Sequence, residues 1–307
     1  MNDRFTVLRD STRKTLGDRR SILICTAIGL VVCSVSGPAT LSTPRLTSTP
    51  AVEVLPPSTT VTAPEPSLAR GIDISRSAGE PALQDFENLR QQGYRFVIVS
   101  GWGGVNPNRH ASVQLSRARD AGLLTAGYCY VNFFSSLDGG RQVREALTEF
   151  GTEWAHLGFL AIDVETSAAN QLSPGLRSDP PLATAQQLAV GRIAEAVHEV
   201  QRMGLSAVIY TKQDDWQRIT GDTRQFKSLP LWHPKTIGGD DIHEPDLANP
   251  GYTFGGWTIR TGKQYVLDTI LENPRIQVDL NVFDLNAFSR SSPGYREAAD
   301  IRMAAAD

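Results

Sequence analysis

Gly158-Phe-Leu-Ala-Ile-Asp-Val-Glu165 is an apolar run that ends in two acids, and Leu205-Ser-Ala-Val-Ile-Tyr-Thr211 is a second short β-rich run further along the chain. Between them, residues 182–203 read as a helix. Leu188, Ile193, Val197 and Val200 recur at roughly helical spacing, and Gly204 stands where a helix stops. Strand, helix and strand in this order make a βαβ unit, which requires parallel pairing. The near-continuous apolar character of Phe159–Ile162 suits a strand buried on both faces.

The same rhythm extends toward the N-terminus. Gly71-Ile-Asp-Ile74, Tyr94–Ser100 and Leu124–Val131 read as strands, with helices around 81–92, 111–121 and 139–156. Past residue 211 the pattern changes. Leu229-Pro-Leu-Trp232, Phe254–Ile259, Lys263–Leu267 and Arg275–Leu280 are short strand candidates separated by loops. These runs predict an α/β chain forming a single TIM-like (β/α) barrel, β/α in its first part and mostly β in its last strands. An open doubly wound sheet is the alternative. No P-loop or dinucleotide fingerprint occurs, and Gly101-Trp-Gly-Gly104 reads as a loop after a strand.

The flanks of the barrel region have a different composition. Of the 307 residues, 40% are hydrophobic and 21% charged, which rules out a collagen-like, coiled-coil or wholly disordered chain. Residues 1–36 hold six basic and three acidic residues, with Ser21–Val35 an uncharged, mostly apolar run. They are expected to be a signal peptide or a signal anchor. Residues 37–70 contain seven Pro, seven Thr and four Ser, so they are expected to be a disordered linker. The barrel domain is then 71–291 and the C-terminal tail 292–307. Such a chain would be exported, acting as a secreted or cell-wall-side monomer whose only membrane contact is the N-terminal segment. Its charge beyond residue 36 is −6, a poor match for a nucleic-acid backbone. Cys25 and Cys33 lie in the export segment, leaving Cys129 as a small core residue and no internal disulfide.

Four acids end apolar runs: Asp73, Asp163, Glu165 and Asp279. Parallel barrels carry their chemistry at the C-terminal ends of strands. Asp163 and Glu165, at i and i+2, share one face of their strand. Close carboxyls repel, so one keeps its proton near neutral pH and can act as the general acid that glycoside hydrolysis needs. A lone strand-end Asp, by contrast, usually caps a helix or a turn. Sugar sites also need aromatic platforms. Tyr128 and Tyr130 share a strand face, and Tyr210, Trp232, Trp257 and Tyr265 fall near later strand ends, though each fits ordinary core packing as well. The five histidines show no metal-ligand spacing, and Asp240–Asp246 reads as a solvated loop. Arg117 and Arg119 read as solvated helix surface.

Taken in order, these segments resemble glycoside hydrolase family 25, the lysozymes that cleave β-1,4 bonds after N-acetylmuramic acid. Gly71-Ile-Asp-Ile-Ser75 is similar to the family's opening strand, Ala161-Ile-Asp-Val-Glu165 to its Asp-x-Glu strand and Val278-Asp-Leu-Asn-Val-Phe283 to its closing strand. Ile209–Trp216, Leu229–Trp232, Phe254-Gly-Gly-Trp257 and Lys263-Gln-Tyr265 add to the match and resemble the invertebrate and protist branch. The resemblance implies Glu165 as general acid, with Asp163, Asp73 and Asp279 in the same cleft. It implies Tyr128, Tyr130, Tyr210, Trp232, Trp257, Gln264 and Asn281 as substrate-binding residues, Tyr210 and Trp257 foremost. It implies peptidoglycan or a related N-acetylated glycan as substrate, and neither metal nor cofactor. Two segments depart from the family: Ser100–Gly104 lacks an acid, and His233-Pro-Lys235 replaces a Tyr-Asp-type stretch after Trp232. A non-catalytic wall-binding protein on the same fold, or a hydrolase of another polysaccharide, is the competing reading.

Overall fold

Eight strands close on themselves in chain order. The computed structural model describes residues 67–166, 182–234, 247 and 254–289. The order is β1 (Leu68–Ile74), α1 (Leu83–Gln91), β2 (Phe96–Gly103), α2 (Ala111–Asp120), β3 (Leu124–Tyr130), α3 (Gly139–Phe150), β4 (Phe159–Asp163) and α4 (Leu182–Arg202). It continues with β5 (Ser206–Tyr210), α5 (Gln213–Thr220), β6 (Leu231–Pro234), β7 (Gly262–Glu272) and β8 (Arg275–Asp284). Strands β1 to β7 pair in parallel, and β8 is antiparallel to both β7 and β1. Closure of β8 on β1 makes a barrel and excludes the open doubly wound sheet.

The alternation of side chains along each strand divides the core in two. Inward-facing Phe96, Ile98, Ala126, Phe159, Ala161, Val208, Trp232 and Phe283 fill the barrel, and Phe288 on a short 3-10 helix (Leu285–Phe288) closes its lower end. Phe159 stacks on Phe283 at 5.5 Å between ring centres and meets Phe288 at 4.9 Å. Two glycines make room for these rings. A Cβ on Gly71 would clash with the Phe96 ring atoms, and one on Gly262 with those of Phe283. The outward residues, Ile72, Val97, Val99, Leu160, Ile162 and Ile209 among them, pack under the helices with Phe86, Leu89, Leu115, Val143 and Ile193. Phe96–Val99 and Phe159–Ile162 are fully buried, as strands covered on both faces should be.

Past α5 the barrel strands lose their helical cover among the described residues, and the chain supplies a substitute. The β7–β8 hairpin is longer than the barrel wall, with register shifts between Gln264 and Thr269 and a positive φ of 51° at Asp268. Its outer half joins the α1 layer: Ile276 and Val278 belong to the same buried cluster as Phe86 and Leu89, and Gln92 donates to the Asn273 carbonyl.

Several expectations need correction. Residues 254–259 form no barrel strand; Phe254-Gly-Gly-Trp257 is a tight turn closed by one antiparallel bridge, with both glycines at positive φ. The helix expected over 139–156 ends at Phe150, because Gly151 takes φ 56°, and a 3-10 helix (Gly151–His156) follows. Leu188 is exposed on α4, whereas Ile193, Val197 and Val200 are buried. Strand β1 starts at Leu68, inside the expected linker, since Leu68–Arg70 pair with Val282–Asp284. Arg117 and Arg119 do more than meet solvent. Arg117 donates to the Glu80 and Pro81 carbonyls, and Arg119 pairs with the buried Glu153 at 2.9 Å. Cys129 is buried with a free thiol, its ionisation pushed out of reach by burial. The expected export segment, nearly all of the linker, the C-terminal tail and the Asp240–Asp246 loop lie outside the described residues.

Candidate active site

Inward-facing positions change character toward the upper rim, where apolar residues give way to carboxyls, amides and phenols. On β4, Asp163 follows Phe159 and Ala161 on the inner face, and Glu165 lies just past the strand end. Tyr130 of β3 and Tyr210 of β5 pair in register with Asp163 from either side. Across the β1–β8 seam, Asp73 stands opposite Asp279. Asp279 therefore does not end a parallel strand as expected. It lies within an antiparallel strand, whose reversed direction delivers it to the same end of the barrel as Asp73.

Two amides organise this rim. Gln264 Nε2 donates to Asp73 Oδ2 at 2.8 Å and to Asp279 Oδ2 at 3.0 Å, while its Oε1 accepts the Tyr210 hydroxyl at 2.8 Å. Asn281 Nδ2 donates to Asp73 Oδ2 at 2.7 Å, and its Oδ1 accepts the Trp232 indole N–H at 2.9 Å. Donors on Tyr210 and Trp232 thus set the amide orientations, and both amide N–H groups then point at carboxylates. Trp232 is almost fully buried, under Tyr210 at 4.5 Å and Tyr128 at 6.3 Å between ring centres, and so forms the floor of the site.

All four carboxyls hold their protons more tightly than usual. Burial, then the Asp279 charge, raises Asp73 to about 8 against the hydrogen bonds from Asn281 and Gln264. Burial and the Glu165 charge push Asp163 well up, and its Oδ1 has no hydrogen-bond partner among the described residues. Burial, then the Asp215 charge, raises Glu165 to about 7, opposed by Lys212. Asp279 rises to about 6 through burial, restrained by the Asp268 backbone N–H at 2.6 Å. The phenols of Tyr128 and Tyr210 are pushed far up by burial and by these carboxyls, so they remain donors. A cluster of this kind stays partly protonated near neutrality and so holds acid and base forms side by side.

The acids open onto a cleft of about 480 Å³, lined by Asp163, Glu165, Tyr128, Tyr130, Arg76 and Asn108 among others. A smaller recess beside it is bounded by Asp73, Asp279, Tyr128 and Asp268. Ten of the eleven expected site residues therefore meet at one rim or directly beneath it: Asp73, Asp163, Glu165, Asp279, Tyr128, Tyr130, Tyr210, Trp232, Gln264 and Asn281. Trp257 does not join them. Its ring is buried in the outer layer, 4.9 Å from Trp216 and 5.6 Å from Phe254, and its N–H is spent on the Leu229 carbonyl at 2.8 Å. A Trp so enclosed offers no face to a sugar. Tyr265 lies on the outer side too, near Tyr94 and Arg70. His233, in the departing segment, faces away from the cleft and packs 5.6 Å from Phe254.

Sequence reading missed Asp215, buried in the first turn of α5, which accepts from Thr166 Oγ1 at 2.5 Å and pairs with Lys212 at 3.2 Å. Only its place at a helix start marks it in the sequence, and exposed helix-start acids look the same. It missed Asn108 and Gln114 as well, which bond each other at 2.9 Å and hold the Ser100, Ser75 and Gly79 carbonyls beneath the cleft wall.

The family model described as Lysozyme-like protein 1 matches residues 65–265, a span holding β1 through β6 and three of the four acids. The chain belongs to this lysozyme-like family of glycoside hydrolase family 25. Among curated relatives of this lysozyme-like chain, Probable GH family 25 lysozyme 3 of Dictyostelium discoideum is 26% identical over 74% of the chain and 43% of its own length. Lysozyme-like protein 3 of Caenorhabditis elegans is 28% identical over 65% of the chain and 63% of its own length. The chain thus spans about half the length of these curated relatives. The muramidase from Acremonium alcalophilum shares the fold, with a TM-score of 0.55 at 21% identity, covering 74% of this chain and 99% of that one.

Proposed function

We propose that this lysozyme-like protein is a glycoside hydrolase that cleaves β-1,4 bonds of peptidoglycan after N-acetylmuramic acid, with Glu165 as the general acid. The observation that carries the reading is Glu165 itself, a half-buried carboxyl raised to about 7, standing at a cleft beside Asp163, whose carboxyl burial also pushes well up. A general acid is most effective when its pKa lies near the working pH. Asp163, Asp73 and Asp279 supply negative charge toward the oxocarbenium-like transition state as they ionise. Tyr128 and Tyr130 flank the acids and offer ring surface to pyranose faces. The lysozyme and muramidase names of the relatives support a substrate containing muramic acid. We place the enzyme on the outer side of the cell membrane, on the strength of the basic start and the apolar run Ser21–Val35.

The test uses the full chain and its Glu165→Gln variant, each incubated with N-acetylated and de-N-acetylated peptidoglycan. Mass spectrometry of the soluble products should find new reducing N-acetylmuramic acid ends from the wild type alone. Retention of both proteins on the glycan with no released ends from either would instead favour a wall-binding protein on a hydrolase fold.

A further inference from the structure

Glu165 lies beyond the last ladder pair of β4, so the sheet alone does not fix it. Three successive ties extend the hold past the strand end. Val164 N–H donates to the Tyr210 carbonyl at 2.9 Å, Thr211 Oγ1 donates to the Val164 carbonyl at 2.7 Å, and Thr166 Oγ1 donates to Asp215 Oδ1 at 2.5 Å. The first two use the end of β5. The third uses a side chain of α5 that is only 3% exposed. A buried aspartate is costly without compensation, and Lys212 supplies it, its Nζ 3.2 Å from Asp215 Oδ2. The residues on either side of Glu165 are therefore both clamped to the β5–α5 corner.

We infer that Asp215 is a positioning residue for Glu165, acting through Thr166 and held in turn by Lys212. This rests on the reading of Glu165 as the acid, and adds to it a reason why a carboxyl on a strand-end extension keeps one place. The arrangement also shapes the field around the acid. Glu165 is faced by Asp163 and Asp73 from β4 and β1, by Asp279 from β8, by the Tyr210 phenol from β5, and by Asp215 with Lys212 from the α5 corner. Asp215 acts to keep the Glu165 proton on and Lys212 acts to release it. Neutralising Asp215 leaves the Lys212 cation unopposed, so Glu165 would ionise at a lower pH.

The experiment compares full-length wild type with Thr166→Val, Thr166→Ser and Asp215→Asn in kcat, KM and pH–rate profile on N-acetylated peptidoglycan. Thr166→Val keeps the side chain's shape but removes the hydroxyl. It should lower kcat by about tenfold or more with KM within about twofold, and Thr166→Ser should recover most of that loss. Asp215→Asn should move the falling limb of the profile to lower pH. Wild-type kcat and an unmoved limb in both folded variants would overturn the proposal, and should Asp215→Asn fail to fold, Thr166→Val decides alone. If the wild type shows no turnover, the hydrolase reading fails first, and an NMR titration of the Glu165 carboxyl, assigned with Glu165→Gln, still tests the clamp. A midpoint lowered by about half a pH unit or more in Asp215→Asn upholds it, and an unchanged midpoint overturns it. Should that variant be unfolded, Thr166→Val keeps the Asp215 charge but frees Glu165 to move relative to it, so a midpoint displaced by about half a pH unit or more in either direction upholds the clamp and an unmoved one overturns it.

Discussion

Asp73 and Asp279 face each other directly across the seam that closes the barrel, and one amide group, Gln264 Nε2, donates to both. Like charges directly opposite in an antiparallel pair are destabilising. The seam tolerates them because Asp73 holds its proton up to about pH 8 and because Gln264 and Asn281 supply donors to the oxygens that remain. Closing the barrel and building the site are thus one event. The strand that completes the cylinder also brings the fourth carboxyl to its rim.

Replacing Gln264 with Leu should expose that coupling. The variant leaves the Tyr210 hydroxyl without its acceptor and both aspartates without a shared donor. Each buried polar group left unpaired costs about 1–3 kcal/mol, so urea denaturation at neutral pH should show a loss of at least about 2 kcal/mol. A loss below about 0.5 kcal/mol would mean that the bridge carries little load.

The same carboxyls give stability a definite pH dependence. Each is raised in the folded state, so between its ordinary value and its raised value the folded chain binds more protons than the unfolded one. Their contribution is full below about pH 4 and is lost as pH rises through about 6 for Asp279, 7 for Glu165 and 8 for Asp73. Unfolding free energy measured from pH 4 to 9 should therefore fall with pH more steeply in wild type than in Asp73→Asn. The difference for one group is at most about 1.4 kcal/mol per pH unit. Identical slopes for the two proteins would refute the assigned shift at Asp73.

Much of this architecture was legible in the sequence, and the misses have physical causes. The parallel strands stood out because Phe96–Val99 and Phe159–Ile162 are buried on both faces and so are apolar throughout. Asp163 and Glu165 were readable as a pair because the two-residue strand period alone puts them on one side. Phe254–Ile259 misled because aromatic and β-branched residues around two glycines look alike in a strand and in a tight turn, and only the positive φ at both glycines separates the cases. Trp257 was drawn into the cleft by its neighbours in sequence, whereas its burial is decided by Trp216, arriving from α5, together with Phe254 of its own turn. The outer half of the β7–β8 hairpin had no local signal as a cover for α1, since its alternating pattern reads equally well as a free edge.

That distinction between Trp257 and the cleft tyrosines is measurable. Trp257→Phe removes the hydrogen bond to the Leu229 carbonyl and some packing against Trp216. It should lower stability by about 1–3 kcal/mol while leaving KM for peptidoglycan within about twofold. Tyr130→Ala should behave in the opposite sense, raising KM about threefold to tenfold through the lost ring surface. A KM change confined to Trp257→Phe would return that Trp to the cleft.

The rate of the proposed reaction should follow a narrow bell in pH. A general acid must carry its proton into the transition state, and Glu165 gives its proton up near pH 7, so kcat/KM should fall as pH rises through that value. Stabilising a positive transition state calls for at least one ionised carboxylate, and Asp279, at about 6, ionises before Asp73, at about 8. The rising limb therefore belongs near pH 6. Four interacting carboxyls share their titration, so the two limbs report the cluster as a whole rather than single residues. Asp279→Asn removes this group and leaves Asp73, at about 8, and Asp163, itself raised by burial, to supply the charge. Its rising limb should move to higher pH, toward the falling limb, and peak activity should drop. Initial rates from pH 4 to 9 on both proteins check this directly, and a flat wild-type profile between pH 5 and 9 would remove Glu165 from the role of acid.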